Sequence, residues 1–168
     1  DLSVPVPEDI APPVADAGQN ATLNCVVPTL NLDGTASSTG PNFTYLWTTP
    51  NGVIISGANG LTPTVSLAGT YNLLVTNQTN GCTSTASVLV ANDANAPAAL
   101  IAAPATLTCT TLQTIIDGLG STQGPTYVYT WSGPGITGGQ GTLQPTVNLP
   151  GVYTLDIVNT ANGCTDTE

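Results

Sequence analysis

The chain has 168 residues, with ten Asp and Glu, no Lys, Arg or His, and a formal net charge of −10. Without cationic side chains it cannot neutralise phosphates, which excludes nucleic acid and anionic membrane surfaces as partners. Its apolar runs fall far short of the roughly 20 residues that span a bilayer, so membrane insertion is excluded too. Four Cys among 14 Pro and 18 Gly indicate disulfides and an oxidising, extracellular location.

The N-terminal segment alternates aliphatic side chains with Ser and Pro. Leu2, Val4 and Val6 occupy every second position, which is typical of a half-buried strand at the edge of a sheet. We interpret residues 1–13 as this strand followed by a linker.

The rest of the chain is an internal duplication. The matched segments share an offset of 84 residues at first and of 82 after a small deletion. They are Thr22–Cys25 with Thr106–Cys109, Tyr45–Trp47 with Tyr129–Trp131, Gly69–Tyr71 with Gly151–Tyr153, and Asn80–Thr83 with Asn162–Thr165. The duplication predicts one domain over residues 14–92, a linker over 93–97 and a second domain over 98–168.

Each repeat is predicted to consist of short strands. Runs of Val, Thr, Tyr, Ile and Leu are broken by Gly, Pro and Asn, and no sustained period of 3.6 residues indicates a helix. Tyr71–Asn77 is a predicted strand, Asn80-Gly81 predicts a type I′ turn, and Cys82–Val90 is the predicted return strand. The predicted fold class is all-β, with two tandem immunoglobulin-like sandwiches and negligible helix.

These motifs resemble the immunoglobulin-like and PKD-like tandem repeats of bacterial cell-surface proteins, in particular adhesins and filaments of the Bacteroidetes type. The matching features are Asp33-Gly34, the aromatic-x-Trp that ends at Trp47, the Gly-x-Tyr at Gly69, and the Asn80–Thr83 hairpin. The resemblance covers nearly the whole chain, and it implies a structural or adhesive role at the cell surface.

The composition offers little for catalysis or cofactor binding. A Ser or Thr nucleophile needs a base, and the chain has no His or Lys to serve as one. We therefore expect no enzymatic activity and no cofactor. Glu8, Asp9 and Asp93 are weak candidates for calcium ligands near the linkers, with solvated side chains as the alternative.

The four cysteines are expected to form one disulfide in each repeat. Cys25 with Cys82 and Cys109 with Cys164 pair equivalent positions, and loops of that size stabilise the fold by about 4 kcal/mol each. The other two connectivities would join the repeats and remain alternatives.

Two tryptophans and three asparagines are candidates for core packing or modification. Trp47 and Trp131 are predicted to pack in the core on a disulfide, with sugar stacking as the alternative. Asn20, Asn42 and Asn77 begin Asn-x-Thr sequons and are candidate sites of N-glycosylation.

The second repeat is expected to lack most of its last strand, because only four residues follow Cys164. Reading residues 165–168 into 1–4 reproduces the register of residues 83–90, which sets Leu2 on Val88 and Val4 on Val90. Either the N-terminal strand of one subunit completes the next subunit, or the 168 residues are one period of a longer chain. Both arrangements are head to tail and give a fibre.

The sequence thus predicts a structural subunit of an extracellular filament or repetitive surface adhesin, assembled by strand complementation. Its expected partners are copies of itself, with glycans or cell surfaces as further candidates. A carbohydrate-binding or spacer module of a large secreted protein is the alternative.

Overall fold

The computed structural model describes residues 7–168, and every regular element in that range is a β-strand. The strands are β1 (Ala21–Asn24), β2 (Leu30–Asn31), β3 (Phe43–Thr48), β4 (Val53–Ser56), β5 (Thr64–Leu67), β6 (Gly69–Asn77), β7 (Thr83–Asp93), β8 (Thr114–Ile115), β9 (Tyr127–Ser132), β10 (Ile136–Gly138), β11 (Thr146–Val147), β12 (Thr154–Asn159) and β13 (Thr165–Thr167). The expectation of an all-β chain is confirmed.

The chain forms two compact units. Unit 1 runs up to Leu23 and continues over Val27–Asp93, whereas unit 2 contains Asn24–Val26 and Ala94–Glu168. The boundary after Asp93 coincides with the end of β7. Three residues of the first sequence repeat therefore belong to unit 2.

Unit 1 has a four-stranded sheet in the order β1-β7-β6-β3 and a three-stranded sheet in the order β2-β5-β4. Side chains alternate across a strand, so every second residue of β6 faces the core, and Tyr71, Leu73 and Val75 are all 0% exposed. Val65 of β5 joins the same core cluster, so the two sheets form a sandwich. The predicted strand over Tyr71–Asn77 is confirmed.

Unit 2 repeats this arrangement with less strand. Its sheets have the orders β13-β12-β9 and β10-β11-β8, and Leu155, Ile157 and Trp131 are fully buried between them. The last strand, β13, is present but has three residues, whereas its counterpart β7 has eleven. Residues 105–108, which correspond to β1, form no strand.

The turn before β7 differs from the predicted type I′ turn. That turn needs positive φ at both central residues, and in the described part of the chain only glycines have positive φ, with Gly81 at 74°. The loop is longer, because the Gly81 N–H donates to the Asn77 carbonyl at 2.8 Å and the Asn77 N–H donates to the Cys82 carbonyl at 2.9 Å. A loop of this length requires only one left-handed residue, which Gly81 supplies.

Candidate functional site

The two tryptophans are core residues. Trp47 is 2% exposed and Trp131 is 0% exposed. Their indole N–H groups donate to the carbonyls of Gly60 at 3.0 Å and Thr142 at 2.8 Å. Neither surrounding cluster includes a cysteine, so the indoles pack on aliphatic and aromatic side chains rather than on a disulfide. The core placement is confirmed, and sugar stacking is excluded for both side chains.

The disulfide joins Cys25 to Cys164, with their Cα atoms 5.1 Å apart and 139 residues between them in sequence. Cys82 and Cys109 are free thiols. The predicted pairs Cys25–Cys82 and Cys109–Cys164 are therefore wrong in this structure. The reason is the position of Cys25: it follows β1 directly, and residues 24–26 group with unit 2.

Within unit 2, residues 24–26 cover the turn that carries Cys164. Cys164 is 1% exposed, and its N–H donates to the Asn162 Oδ1 at 3.0 Å. Val26 lies against Gly163, where an added Cβ would come within 2.0 Å of the Val26 Cγ2. The bond is thus part of a packed contact that only glycine at position 163 permits.

Unit 2 also contains an open apolar groove of about 350 Å³. Leu107, Ile116, Leu149, Gly151 and Tyr153 are among its lining residues. Ile116 is 2% exposed and forms the floor, whereas Leu107 and Tyr153 are half-buried along the wall. The groove has an apolar surface and lies beside a strand edge that pairs over only part of its length in the described residues.

That edge belongs to β12. Its pairing with the last strand ends where Leu155 and the C-terminal Glu168 exchange hydrogen bonds of 2.8 and 3.0 Å. In unit 1, the equivalent pairing of β6 with β7 continues for four more positions, from Leu73↔Ala86 to Gly69↔Val90. Among the described residues, no last strand pairs with the corresponding positions 151–154 of unit 2, although Thr154 pairs with Ser132 on the other side of β12.

In unit 1, side chains of the last strand occupy the position that corresponds to this groove. Val88 and Val90 of β7 are 2% and 1% exposed and belong to the core. Leu23 and Tyr71, the equivalents of Leu107 and Tyr153, are buried at 4% and 0% exposure. The groove of unit 2 therefore lies where two valine side chains of a last strand would pack.

The predicted assembly strand lies outside the described residues, since Leu2, Val4 and Val6 precede residue 7. The segment that follows it is ordered on unit 1. There the Asn80 Nδ2 donates to the Asp9 Oδ1 at 3.0 Å and to the Ala11 carbonyl at 3.1 Å.

The calcium candidates do not form a site. In the described range, no group of three Cys, Asp or Glu side chains is arranged to hold a metal ion, so Glu8, Asp9 and Asp93 are not brought together as ligands. Asp9 instead accepts a hydrogen bond from Asn80.

The three sequons lie in different surroundings. Asn42 is exposed. The Asn20 Oδ1 accepts from the Leu89 N–H at 3.0 Å, and the Asn77 Oδ1 accepts from the Thr79 N–H at 2.9 Å. Asn20 is exposed as well, whereas Asn77 is half-buried, and glycosylation stays a prediction.

The surface carries no aromatic platform for sugars. All eight aromatic residues of the chain are described, and each is buried or half-buried. A stacking site of exposed rings, which the carbohydrate-binding alternative requires, has no counterpart here. The described residues also include no helix long and apolar enough to cross a membrane.

The two-sheet units with a buried tryptophan define an immunoglobulin-like β-sandwich fold. A solved structure of the N-terminal eight Ig domains of the Down Syndrome Cell Adhesion Molecule is similar, with a TM-score of 0.55 and 16% identity over 93% of this chain. The chain spans 27% of that protein. At this identity the similarity shows the fold alone.

Weaker similarity extends to other tandem domains. Extracellular domains 3–5 of Drosophila OTK give a TM-score of 0.41 at 13% identity, covering 95% of this chain and 60% of that one. The titin domains z1z2, solved in complex with telethonin, give 0.37 at 14% identity, covering 96% and 95%. No protein-family model matches the sequence, and the search of curated proteins gives no match.

Proposed function

We propose that the protein is a structural subunit of an extracellular filament or repetitive surface adhesin, in which copies follow one another head to tail. The N-terminal strand of each copy completes unit 2 of its neighbour. The observation that carries this proposal is the open groove of unit 2, at the place where Val88 and Val90 fill unit 1.

The way in which the chain enters each unit supports the same proposal. The Asn80 Nδ2 donates to the Ala11 carbonyl at 3.1 Å in unit 1, and the Asn162 Nδ2 donates to the Asn95 carbonyl at 3.0 Å in unit 2. Ala11 and Asn95 are related by the repeat offset of 84. Residues just before Asn95 form the last strand of the preceding unit, which supports an equivalent role for the N-terminal segment in a neighbouring copy.

The N-terminal sequence suits that role. With the same offset, Val4 and Val6 correspond to Val88 and Val90, the two residues that fill the groove of unit 1. Direct continuation from Glu168 gives a register shifted by two residues. Both registers turn the same side chains inward, because the side-chain period of a strand is two.

Pairing of the donated strand with unit 2 would contribute a favourable free energy of several kcal/mol. Burying an aliphatic side chain of this size stabilises by about 1.5–3 kcal/mol, and each backbone hydrogen bond adds about 0.5–1.5 kcal/mol net. The ordering cost is reduced because Pro5 and Pro7 already restrict φ. A contact between different surfaces of identical copies generates a fibre when its rotation does not close a ring.

The same chemistry supports an extracellular location. A disulfide such as Cys25–Cys164 is typical of an oxidising compartment. A filament of such subunits would act mechanically, in spacing, attachment or matrix formation, with further contacts to glycans or cell surfaces.

Two single variants test the assembly. Val4→Asp places a charge in the groove and should abolish filaments in electron micrographs and sedimentation, whereas Ser3→Asp adds the same charge on the opposite face of the strand and should leave filaments intact. Deleting residues 1–7 should give folded, unassembled subunits. Filaments of the deletion variant would overturn the proposal.

The intact mass of native material distinguishes the two head-to-tail arrangements. Separate subunits give 16.8 kDa plus any modification, whereas one period of a longer chain gives a much larger mass. A mass equal to the bare polypeptide would exclude glycosylation at Asn20, Asn42 and Asn77.

A further inference from the structure

We propose that Cys109 of one copy forms a disulfide with Cys82 of the next, so that the assembled fibre is covalently linked along its length. This inference rests on the head-to-tail assembly proposed above. It starts from the two thiols that the observed disulfide leaves free.

The observed bond sets the pattern. Cys25 follows the first strand of repeat 1, and it bonds to the hairpin cysteine of repeat 2, Cys164. Cys109 is the equivalent of Cys25 at an offset of 84, and Cys82 is the equivalent of Cys164 at an offset of 82. Moving the same bond one repeat along the array joins Cys109 to the hairpin cysteine of the following repeat, which is Cys82 of the next copy.

The Cys82 hairpin has the conformation that its bonded counterpart has. The Cys82 N–H donates to the Asn80 Oδ1 at 3.0 Å, as the Cys164 N–H donates to the Asn162 Oδ1 at 3.0 Å. Gly81 has φ 74° and Gly163 has φ 71°. The hairpin therefore needs no rearrangement to accept the equivalent bond.

The two hairpins differ in the residues that pack on them. A Cβ on Gly163 would collide with Val26, whereas a Cβ on Gly81 would meet no atom of residues 7–168 within 4 Å. Cys164 is 1% exposed, but Cys82 is only half-buried. The surface of unit 1 that corresponds to the covered face of unit 2 is thus open.

The segment that contains Cys109 has side chains that can cover this open surface of unit 1. Cys109 is exposed, and the residue after it is Thr110, which corresponds to Val26 and has nearly the same shape. Thr110 can therefore pack on Gly81 as Val26 packs on Gly163.

Cys109 is also adjacent to the groove that takes the donated strand. It lines a shallow cleft of about 420 Å³ together with Leu107 and Pro150, and both of these residues also line the groove. Strand insertion would bring the next copy to the side of unit 2 that carries Cys109.

The bond forms by two thiol–disulfide exchanges with a low-molecular-weight disulfide, such as oxidised glutathione, as the oxidant. The thiolate of Cys109 attacks one sulfur of the oxidant and releases one small thiol. The Cys82 thiolate of the next copy then attacks the Cys109 sulfur of the mixed disulfide and releases the second thiol. Two protein thiols are oxidised, and one small disulfide is reduced to two thiols.

A mixing experiment tests the pairing. Cys82→Ser retains Cys109, and Cys109→Ser retains Cys82, so neither variant alone should give covalent dimers on a non-reducing gel after assembly with oxidised glutathione. An equal mixture should give dimers of twice 16.8 kDa, and the unmodified protein should give a ladder that reductant collapses to monomer.

Peptide mapping identifies the bond. Cleavage before Asp places the four cysteines on four separate peptides, and the dimer should contain the peptide of Cys82 linked to that of Cys109. Covalent dimers in either variant alone, or a Cys82–Cys109 bond within one chain, would overturn the inference.

Electron microscopy with reductant and with oxidised glutathione separates this inference from the proposed function. Fibres that assemble with oxidised glutathione but contain no Cys82–Cys109 peptide would overturn the disulfide and leave the assembly standing. Absence of fibres under both conditions would overturn the assembly itself.

Discussion

Gly163 lies directly against Val26 in unit 2, so that a β-carbon at position 163 would come within 2.0 Å of the Val26 Cγ2. The contact holds residues 24–26 on the turn that carries Cys164. Its counterpart in unit 1, Gly81, has the same backbone conformation and no such neighbour in the part of the chain that the structure describes.

This difference predicts unequal effects of two alanine substitutions. In the isolated subunit, Gly81→Ala should cost roughly 1–2 kcal/mol for the left-handed backbone alone. Gly163→Ala carries the same strain plus overpacking on Val26, roughly 1–3 kcal/mol more. Denaturant unfolding of both variants measures the difference, and equal losses would contradict the packing described here. In the assembled protein, Gly81→Ala should also impede the Cys82–Cys109 bond.

The disulfide connectivity predicts the behaviour of two double variants. Cys82→Ser with Cys109→Ser should contain no titratable thiol after denaturation, and reductant should lower its stability by about 5 kcal/mol at most. The control, Cys25→Ser with Cys164→Ser, removes the observed bond and should be the less stable protein without reductant. Two thiols in the first variant would contradict the Cys25–Cys164 bond.

The disulfide connectivity shows which features the sequence predicts and which it does not. Periodicity and the duplication locate β6 and the buried Trp47 and Trp131, because strand alternation and burial leave local signals. The contacts of Cys25 leave no such signal. Equivalent positions favoured a bond within each repeat, whereas residues 24–26 pack on unit 2.

The Asn80-Gly81 turn is a second case. Asn tolerates positive φ, so the dipeptide suggested a two-residue turn. The actual loop closes from Asn77 to Cys82 and leaves only Gly81 left-handed. The lining of the unit 2 groove required the structure, because it brings together residues from separate parts of the chain.

Two tyrosines at equivalent positions should differ in their hydroxyl contributions. The Tyr71 hydroxyl donates to the Leu67 carbonyl and accepts from the Val53 N–H at 3.0 Å, in a side chain that is 0% exposed. Tyr71→Phe should cost about 1–3 kcal/mol, because it leaves buried polar groups unsatisfied.

The matched control is Tyr153→Phe. The Tyr153 hydroxyl bonds to the Leu149 and Pro134 carbonyls in exposed surroundings. Water can replace the hydroxyl, so Tyr153→Phe should lower the free energy of unfolding by less than about 1 kcal/mol. Chemical denaturation of both variants checks the order, and a larger loss for Tyr153→Phe would contradict it.

Asp33 should titrate below its ordinary range. A hydrogen bond from the Thr35 hydroxyl, supported by the Thr35 N–H at 3.0 Å, lowers the pKa of the Asp33 carboxyl below 3.8. A depressed folded-state pKa contributes stability that is present above the unfolded value and is lost as the pH falls through the folded value. Carbon NMR of the Asp33 carboxyl should show the shift, and Thr35→Val should move the pKa back up; an unchanged pKa in that variant would contradict the assigned cause.

The destination of the N-terminal strand tests the central claim most directly. A photoreactive benzophenone side chain at position 4, introduced into an equal mixture of ¹⁴N- and ¹⁵N-labelled subunits, should crosslink in the fibre to residues that line the unit 2 groove, such as Leu107 and Tyr153. If each strand enters another copy, about half of the crosslinked peptides should join a light and a heavy chain. Crosslinks confined to peptides of one isotope would show that the strand packs on its own chain, and would contradict assembly by strand complementation.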